Sequence, residues 1–181
     1  MFIWVRYGEG NTSRCFNADV TCDNLLDAVR HTVEEETTVA IRRREAEFLA
    51  QVQEATFEEQ TISNRISRFE ALQEPVPPDL SAQIDGVRAR QYKFQESLKC
   101  LQASCAKFKG LSSCDIDLAE TSGTLKKLSE NPRRRAAELL HTRGTYLATR
   151  LDKDPETGAV TQVPLIYSLG YKAPSPQDTE G

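Results

Sequence analysis

No glycine or proline interrupts the chain between Asp23 and Glu74. Glycine and proline interrupt helices most strongly, so a run of this length without either residue favours a long helix. Thr21 is positioned as an N-cap, and Asp23 places an anion in the first turn, where the helix dipole favours it. Thr37-Thr38-Val39 is the weakest stretch, because β-branched side chains lower helix propensity. The pattern leaves open whether the helix continues through it.

Two stripes of apolar side chains at heptad spacing follow one another, separated by prolines. The first stripe contains Ile41, Phe48, Ala55, Ile62 and Phe69. Pro75-Val76-Pro77-Pro78 ends it, since proline lacks an N–H and clashes with the preceding turn. The second contains Leu80, Ile84, Val87, Gln91, Phe94, Leu98, Leu101, Cys105 and Phe108. Together they predict an antiparallel coiled-coil hairpin, with Leu49, Phe57, Leu72 and Tyr92 off its seam.

Short strand patterns lie on both sides of the helical segment. Phe2–Tyr7 and Thr12–Asn17, joined by Gly8-Glu9-Gly10-Asn11, predict a β-hairpin. Beyond Gly110, strands are predicted at 115–119, 124–128 and 145–151, with an extra strand within 159–167. Asn131-Pro132 predicts the start of a short helix that ends before Gly144, because proline is favoured at the first helical position.

This order of elements is the β-grasp order, and the segments themselves resemble ubiquitin. Met1 to Arg6 resembles the ubiquitin opening strand, and Thr21 to Val29 resembles the cap and buried face of its helix. Asp117 to Leu125 resembles the third strand, tight turn and short fourth strand, and Thr145 to Leu151 resembles the last strand. The resemblance implies a ubiquitin-like fold split by the helical segment.

The chain also resembles a small, poorly characterised family of eukaryotic open-reading-frame proteins with an N-terminal ubiquitin-like domain. The segments that carry this resemblance are the opening Met-Phe-Ile strand, Ile116-Asp117-Leu118, Gly123-Thr124-Leu125 and Arg143-Gly144-Thr145-Tyr146. The long hairpin is not part of that family's pattern. The resemblance implies an association with motile cilia.

We therefore predict an α+β fold: a ubiquitin-like β-grasp domain with an inserted antiparallel helical coiled-coil hairpin and a disordered C-terminal tail. The first half of the ubiquitin-like domain is assigned to 1–33 and the hairpin to 34–110. The second half, with the extra strand, is assigned to 111–168. The tail is assigned to 169–181, which is rich in proline, serine and charge and is expected to become ordered only against a partner.

The residues give little support to an enzyme. There is no Gly-rich phosphate loop and no Gly-x-Ser-x-Gly. Cys15 and His31 can be drawn as nucleophile and base, but they lie on different predicted elements. His31 and His141 are isolated, and the five cysteines form no CxxC pair. We expect a non-enzymatic protein with no catalytic residue, metal or cofactor, and cysteines that are free thiols in a reducing compartment.

Net charge and hydropathy limit the classes of partner that the protein can bind. The net charge of −4 argues against nucleic acid, which requires clustered cations. No apolar run approaches the ~20 residues that cross a bilayer, and the apolar N-terminus is too short for a signal peptide. Asp152-Lys153-Asp154 follows the predicted last strand, where a ubiquitin-like modifier needs a free glycine pair. We expect a cytoplasmic protein that is not conjugated like ubiquitin and has no membrane partner.

Two arginine triplets are the candidate partner-binding residues. Arg42, Arg43 and Arg44 lie on the first long helix, either as a solvated face paired with nearby glutamates or as a contact to an acidic surface such as the tubulin lattice. Arg133, Arg134 and Arg135 fall at the start of the predicted short helix, where cations oppose the helix dipole. Because that placement costs stability, it suggests binding to an acidic protein or a phosphate, and the alternative is a solvated surface with no partner.

Two functions remain open. The first is a structural or scaffold subunit of a large assembly, whose ubiquitin-like head and helical arm bind different neighbouring subunits. The cytoskeleton is the predicted setting, with the microtubule-based axoneme of a cilium or flagellum as the predicted assembly. The alternative is a soluble adaptor whose ubiquitin-like head binds a small GTPase or an AAA-type ATPase through its second strand.

Overall fold

The computed structural model describes residues 1–10 and 12–168 and shows a mixed α+β protein. The strands are β1 (Phe2–Arg6), β2 (Gly8–Glu9), β3 (Ser13–Asn17), β4 (Asp115–Glu120), β5 (Thr145–Lys153), β6 (Val160–Pro164) and β7 (Ile166–Tyr167). The α-helices are α1 (Cys22–Ala71) and α2 (Pro78–Cys105), and short 3-10 helices cover Ala106–Phe108, Leu111–Ser113 and Ala136–Glu138. The α+β class predicted from the sequence is confirmed, whereas the predicted tail at 169–181 lies outside the described residues.

Contacts within the chain define two compact units. One comprises Met1–Ala40 together with the described residues from Ser104 onward, and the other comprises Ile41–Ala103. Helix α1 contributes residues to both. The predicted domain boundaries stay a prediction, because compactness alone does not show which segments fold by themselves.

The first unit is built on one mixed sheet with the strand order β3-β1-β5-β4. β1 pairs antiparallel with β3 and parallel with β5, and β4 pairs antiparallel with β5. β6 pairs antiparallel with β5 along residues 149–153, beyond the part of β5 that pairs with β1. The predicted N-terminal hairpin and the predicted extra strand are therefore confirmed.

A second, two-stranded sheet joins distant parts of the same unit. β2 pairs parallel with β7, so Gly8 lies beside Ile166. Gly8 has a φ of +69°, and a Cβ at this position would lie 3.3 Å from the Thr37 methyl carbon. Glycine is favoured here because it adopts a positive φ without strain and leaves room for Thr37.

Apolar side chains from β1 and from α1 form the interior of this unit. Ile3 and Val5 alternate with exposed neighbours on β1, and both are fully buried. Leu25, Val29 and Val33 recur at helical spacing on α1 and are buried to the same degree. Side chains two residues apart share one face of a strand, and those three or four residues apart share one face of a helix. In β1 and in α1, the apolar face is the buried one.

Two short elements predicted in this unit are wrong. Residues 124–128 do not form a strand; they contribute a single bridge between Ala119 and Leu125. Residues 131–143 do not form an α-helix, since only the 3-10 helix Ala136–Glu138 occurs there. At 131–143 the backbone pairs with a distant residue instead, through the hydrogen bond from the Ala136 N–H to the Val20 carbonyl. At 124–128 the backbone bonds stay within the tight turn after β4, where the Lys126 N–H donates to the Leu118 carbonyl.

The second unit consists of helical residues from α1 and α2. α1 continues through Thr37-Thr38-Val39 without a break, which answers the question that propensity left open. Apolar residues of the two predicted stripes form a cluster of Ala55, Ile62, Leu80, Ile84 and Val87. Polar contacts link Arg88 with Glu59, Gln91 with Thr56, and Gln102 with Glu45. Residue numbers rise on α2 as they fall on α1, so the two contacting segments run antiparallel.

Candidate protein-interaction surfaces

The first arginine triplet lies on α1 in the helical unit. Arg43 Nε donates to one Glu47 oxygen at 3.0 Å, and Arg44 donates to the other oxygen at 3.0 Å. The hydrogen bond from Arg43, followed by that from Arg44, lowers the pKa of the Glu47 carboxyl. Arg42 is exposed, and no carboxylate of the described chain pairs with it. Part of the triplet's charge is thus neutralised on its own helix.

The second triplet lies in the sheet-containing unit, in an exposed turn. Arg134 donates through Nε and one terminal nitrogen to Glu138, at 3.1 and 3.0 Å. Arg135 pairs with Asp19 at 2.8 Å. Arg133 is exposed and forms no ion pair with a described residue. No α-helix starts at these arginines, since only a three-residue 3-10 helix follows them. Their backbone lies instead at the N-terminus of α1, where the Arg134 carbonyl accepts a hydrogen bond from the Cys22 N–H.

The structure places the two triplets in different units. In each triplet one arginine is exposed without a carboxylate partner among the described residues, and two are paired. Surface ion pairs contribute ~0–1 kcal/mol each, so a partner could replace them at small cost. The assignment of all six residues to partner binding stays a prediction.

An aromatic surface on the sheet was not identified from the sequence. Phe2 and Trp4 project from β1 on the face opposite the buried Ile3 and Val5, and they remain 60% and 44% exposed. Cys15, opposite Trp4 on β3, is also exposed. The sequence does contain a signal for this surface, in the alternation of Phe2–Arg6. Consecutive residues of a strand point to opposite faces, so when Ile3 and Val5 enter the core, Phe2 and Trp4 must lie on the other face.

The edge of the sheet beside this aromatic surface is open. In the described part of the chain, β3 pairs with β1 alone, and four of its five residues are exposed. A strand with one unpaired side presents backbone donors and acceptors that can pair with a strand of another protein. Phe2, Trp4 and the free side of β3 therefore form one continuous candidate surface, which we call the sheet-edge surface.

A charged cluster lies at one end of this edge. Arg14 of β3 pairs with Glu36 of α1 at 2.9 Å, and the Tyr7 hydroxyl donates to the same carboxylate at 2.6 Å. Burial raises the pKa of Glu36, but the hydrogen bonds from Tyr7 and Arg14 outweigh it and the pKa is lowered. Burial, followed by the bond to Glu36, raises the pKa of Tyr7. The cluster holds β3 and α1 together and leaves Arg14 accessible.

Other kinds of site receive no support from residues 1–10 and 12–168. No group of three or more His, Cys, Asp or Glu side chains in this range could hold a metal ion. His31 is exposed and lies 3.9 Å from Glu35 on its own helix. None of the helices in this range combines the length and hydropathy that spanning a bilayer requires. All five cysteines are free thiols, with Cys22 buried and Cys15 and Cys100 exposed.

Comparison of the chain with protein-family models, curated proteins and solved structures finds no match.

Proposed function

We propose that this protein is a non-enzymatic structural subunit of a large protein assembly. In this proposal a ubiquitin-like β-grasp head binds one neighbouring subunit, and an antiparallel coiled-coil hairpin binds another. The assembly we propose is the axoneme of a cilium or flagellum, which would place the protein in the cytoskeleton. The observation that carries the proposal is the sheet-edge surface.

The energetics of Phe2 and Trp4 support a partner on that surface. Removing a large aromatic side chain from water contributes about 2 kcal/mol, and aromatic residues are enriched at the centres of protein interfaces. Phe2 and Trp4 lie on the same face of β1, and 60% of the first and 44% of the second stay exposed to water. Covering both, together with the free side of β3, would give an interface apolar contacts and backbone hydrogen bonds.

The β-grasp interpretation of the head rests on topology. β1 and β3 form an antiparallel hairpin, the first turns of α1 follow, and β1 lies parallel to β5 in the middle of the sheet. This agrees with the element order that resembles ubiquitin. The predicted short fourth strand is reduced to the bridge at Leu125.

The arm is interpreted as a coiled-coil hairpin because both heptad stripes contribute to one apolar cluster between antiparallel segments. The 28 residues of α2 extend about 42 Å at 1.5 Å per residue. Four large apolar side chains off the seam, Leu49, Phe57, Leu72 and Tyr92, are exposed. An extended helical pair with apolar groups on its outer side is suited to bridging subunits.

Cell fractionation tests the proposal. A copy tagged after Gly181 is expressed in a ciliated or flagellated cell, imaged, and extracted with detergent and ~0.5 M salt, which screens surface charges beyond a few ångströms. We expect the signal to line the axoneme and to resist extraction. A diffuse signal that washes out would overturn the structural-subunit proposal.

A pair of variants connects that result to the sheet-edge surface. Phe2→Thr with Trp4→Thr keeps strand propensity and removes the aromatic area, so the protein should become extractable while retaining its circular dichroism spectrum. Val160→Thr, at an exposed position on β6, is the matched control and should stay bound. Equal retention of both variants would remove the sheet-edge surface from the proposal.

The open edge of β3 favours one alternative: a soluble adaptor whose head binds a small GTPase or an AAA-type ATPase by strand pairing. This adaptor should wash out on extraction and should capture such a nucleotide-binding protein in a pull-down. Arg14→Glu, which reverses the charge presented by β3, should weaken that capture, and Val160→Thr should not. No enrichment of either protein class would exclude the adaptor.

A further inference from the structure

The helical unit carries an apolar groove between α1 and α2. It has a volume of about 620 Å³. Ile62 of α1 and Val87 of α2, both members of the buried cluster, form its floor, and Phe57 and Gly86 line it on opposite helices. The groove is a surface feature separate from the sheet-edge surface and from both arginine triplets.

Phe57 and Gly86 are complementary in shape. Phe57 is 72% exposed and is the most exposed large apolar side chain among the described residues. Gly86 lies in the interior of α2, where glycine costs about 1 kcal/mol relative to alanine. A Cβ at Gly86 would meet nothing within 4 Å, and its φ is not positive, so neither packing nor backbone conformation requires glycine there. The groove thus combines a projecting ring with a notch.

We propose that a second copy of this chain binds in the groove through a two-fold contact, in which Phe57 of each copy enters the notch at Gly86 of the other. A two-fold interface uses the same surface on both subunits, so that surface must complement itself. A projecting ring on one helix and a notch on the other meet this condition. The product is a four-helix arrangement formed by two helical units.

The charges beside the groove are self-complementary as well. Arg90 donates to Glu58 at 2.6 Å, and both residues line the groove. One acid and one base on the same surface allow Glu58 of each copy to face Arg90 of the other. A strongly acidic or basic partner would gain nothing from this balanced pair, whereas a second copy matches it.

The proposed contact is small, because only eight residues of α1 and α2 line the groove. An interface of this size is typical of weak, reversible association rather than of a permanent dimer. The dimer does not depend on the proposed axonemal role, because it is formed by purified chain alone.

Sedimentation velocity of the purified full chain over ~1–100 μM tests the proposal. We expect reversible dimerisation for the wild type. Gly86→Leu fills the notch with a good helix former, and Phe57→Gln removes the ring, so each should raise the dimer dissociation constant about tenfold or more. Tyr92→Gln, at a position 65% exposed and outside the groove, is the matched control and should dimerise like the wild type.

Thermal unfolding separates a lost interface from a lost fold. Gly86→Leu should not lower the melting temperature at a concentration where the wild type is monomeric, because leucine is the better helix former and space is available. A wild-type chain that stays monomeric to ~100 μM overturns the proposal. Dimerisation of Gly86→Leu and Phe57→Gln with wild-type affinity overturns it equally.

Discussion

Gln91 Nε2 donates a hydrogen bond to Thr56 Oγ1 at 2.9 Å, at the point where the apolar stripe of α2 is interrupted. The Thr56 hydroxyl in turn donates to the Val52 carbonyl at 2.7 Å. The one polar member of the α2 stripe is thus matched by a polar side chain on α1. A single polar pair of this kind fixes the register of a helix pair at a cost in stability.

Gln91→Leu should therefore stabilise the chain by about 1 kcal/mol, because an apolar side chain replaces a half-buried amide and Thr56 keeps its backbone partner. Urea denaturation followed by circular dichroism measures the change. Gln95→Leu, one turn later and exposed, is the matched control and should have little effect. A loss of stability for Gln91→Leu would show that the polar pair is stabilising in itself.

Asp117 is a buried carboxylate that organises the segment after β4. It accepts hydrogen bonds from the N–H groups of Leu118, Leu128 and Ser129 and from the Ser129 hydroxyl, at 2.7 to 3.3 Å. Asp117→Asn keeps the shape but points an amide N–H₂ at donors, so we expect a loss of about 3 kcal/mol in the free energy of unfolding.

Asp115→Asn, on the same strand but exposed, is the control for Asp117. It should change the urea midpoint by less than a fifth of the Asp117→Asn effect, since surface substitutions lie within about 0.5 kcal/mol. Similar effects at the two positions would contradict a special role for Asp117.

Glu36 should make the stability of the chain dependent on pH. Its pKa is lower in the folded chain than the ordinary value of 4.5, because hydrogen bonds from Tyr7 and Arg14 outweigh burial. Its contribution is therefore complete above about pH 4.5 and is lost as the pH falls through the folded pKa. We expect Glu36→Gln to destabilise the chain at pH 7 and to match the wild type more closely as the pH falls toward 3.

Unfolding by urea at a series of pH values measures this convergence. Glu35→Gln, on the preceding residue and exposed, is the control, and its stability should run parallel to that of the wild type. A constant difference between Glu36→Gln and the wild type across the acid range would rule out the ionised carboxylate as the cause.

Cys22 should be the least reactive of the five thiols. It is fully buried, and burial, followed by the charge of Asp117, raises its pKa. Because the thiolate is the reactive form, iodoacetamide at about pH 8 should label the exposed Cys15 and Cys100 first. Peptide mass spectrometry gives the order, and labelling of Cys22 should require urea. Early labelling of Cys22 in the native chain would indicate local opening at the start of α1.

The sequence by itself determined the long helices, the break between them and the α+β class. These features follow from local patterns: the run without glycine or proline, the heptad stripes, the prolines at 75–78, and the alternation in β1. Each of these patterns depends only on residues close together in the sequence, so the element that it predicts can be assigned before any long-range contact is known. Phe57 and Tyr92, which lie outside the two apolar stripes of the sequence, are exposed.

Only the tertiary structure decided the pairing of distant segments and the surfaces that this pairing leaves open. Gly8 lies beside Ile166, and Arg135 pairs with Asp19 across more than a hundred residues. The failed helix prediction at 131–143 has the same origin, because the Ala136 N–H there pairs with the Val20 carbonyl. Contacts between residues so far apart are fixed by the packing of the whole unit, which no local pattern specifies. The sheet-edge surface and the groove beside Phe57 are what remains uncovered once that packing is complete.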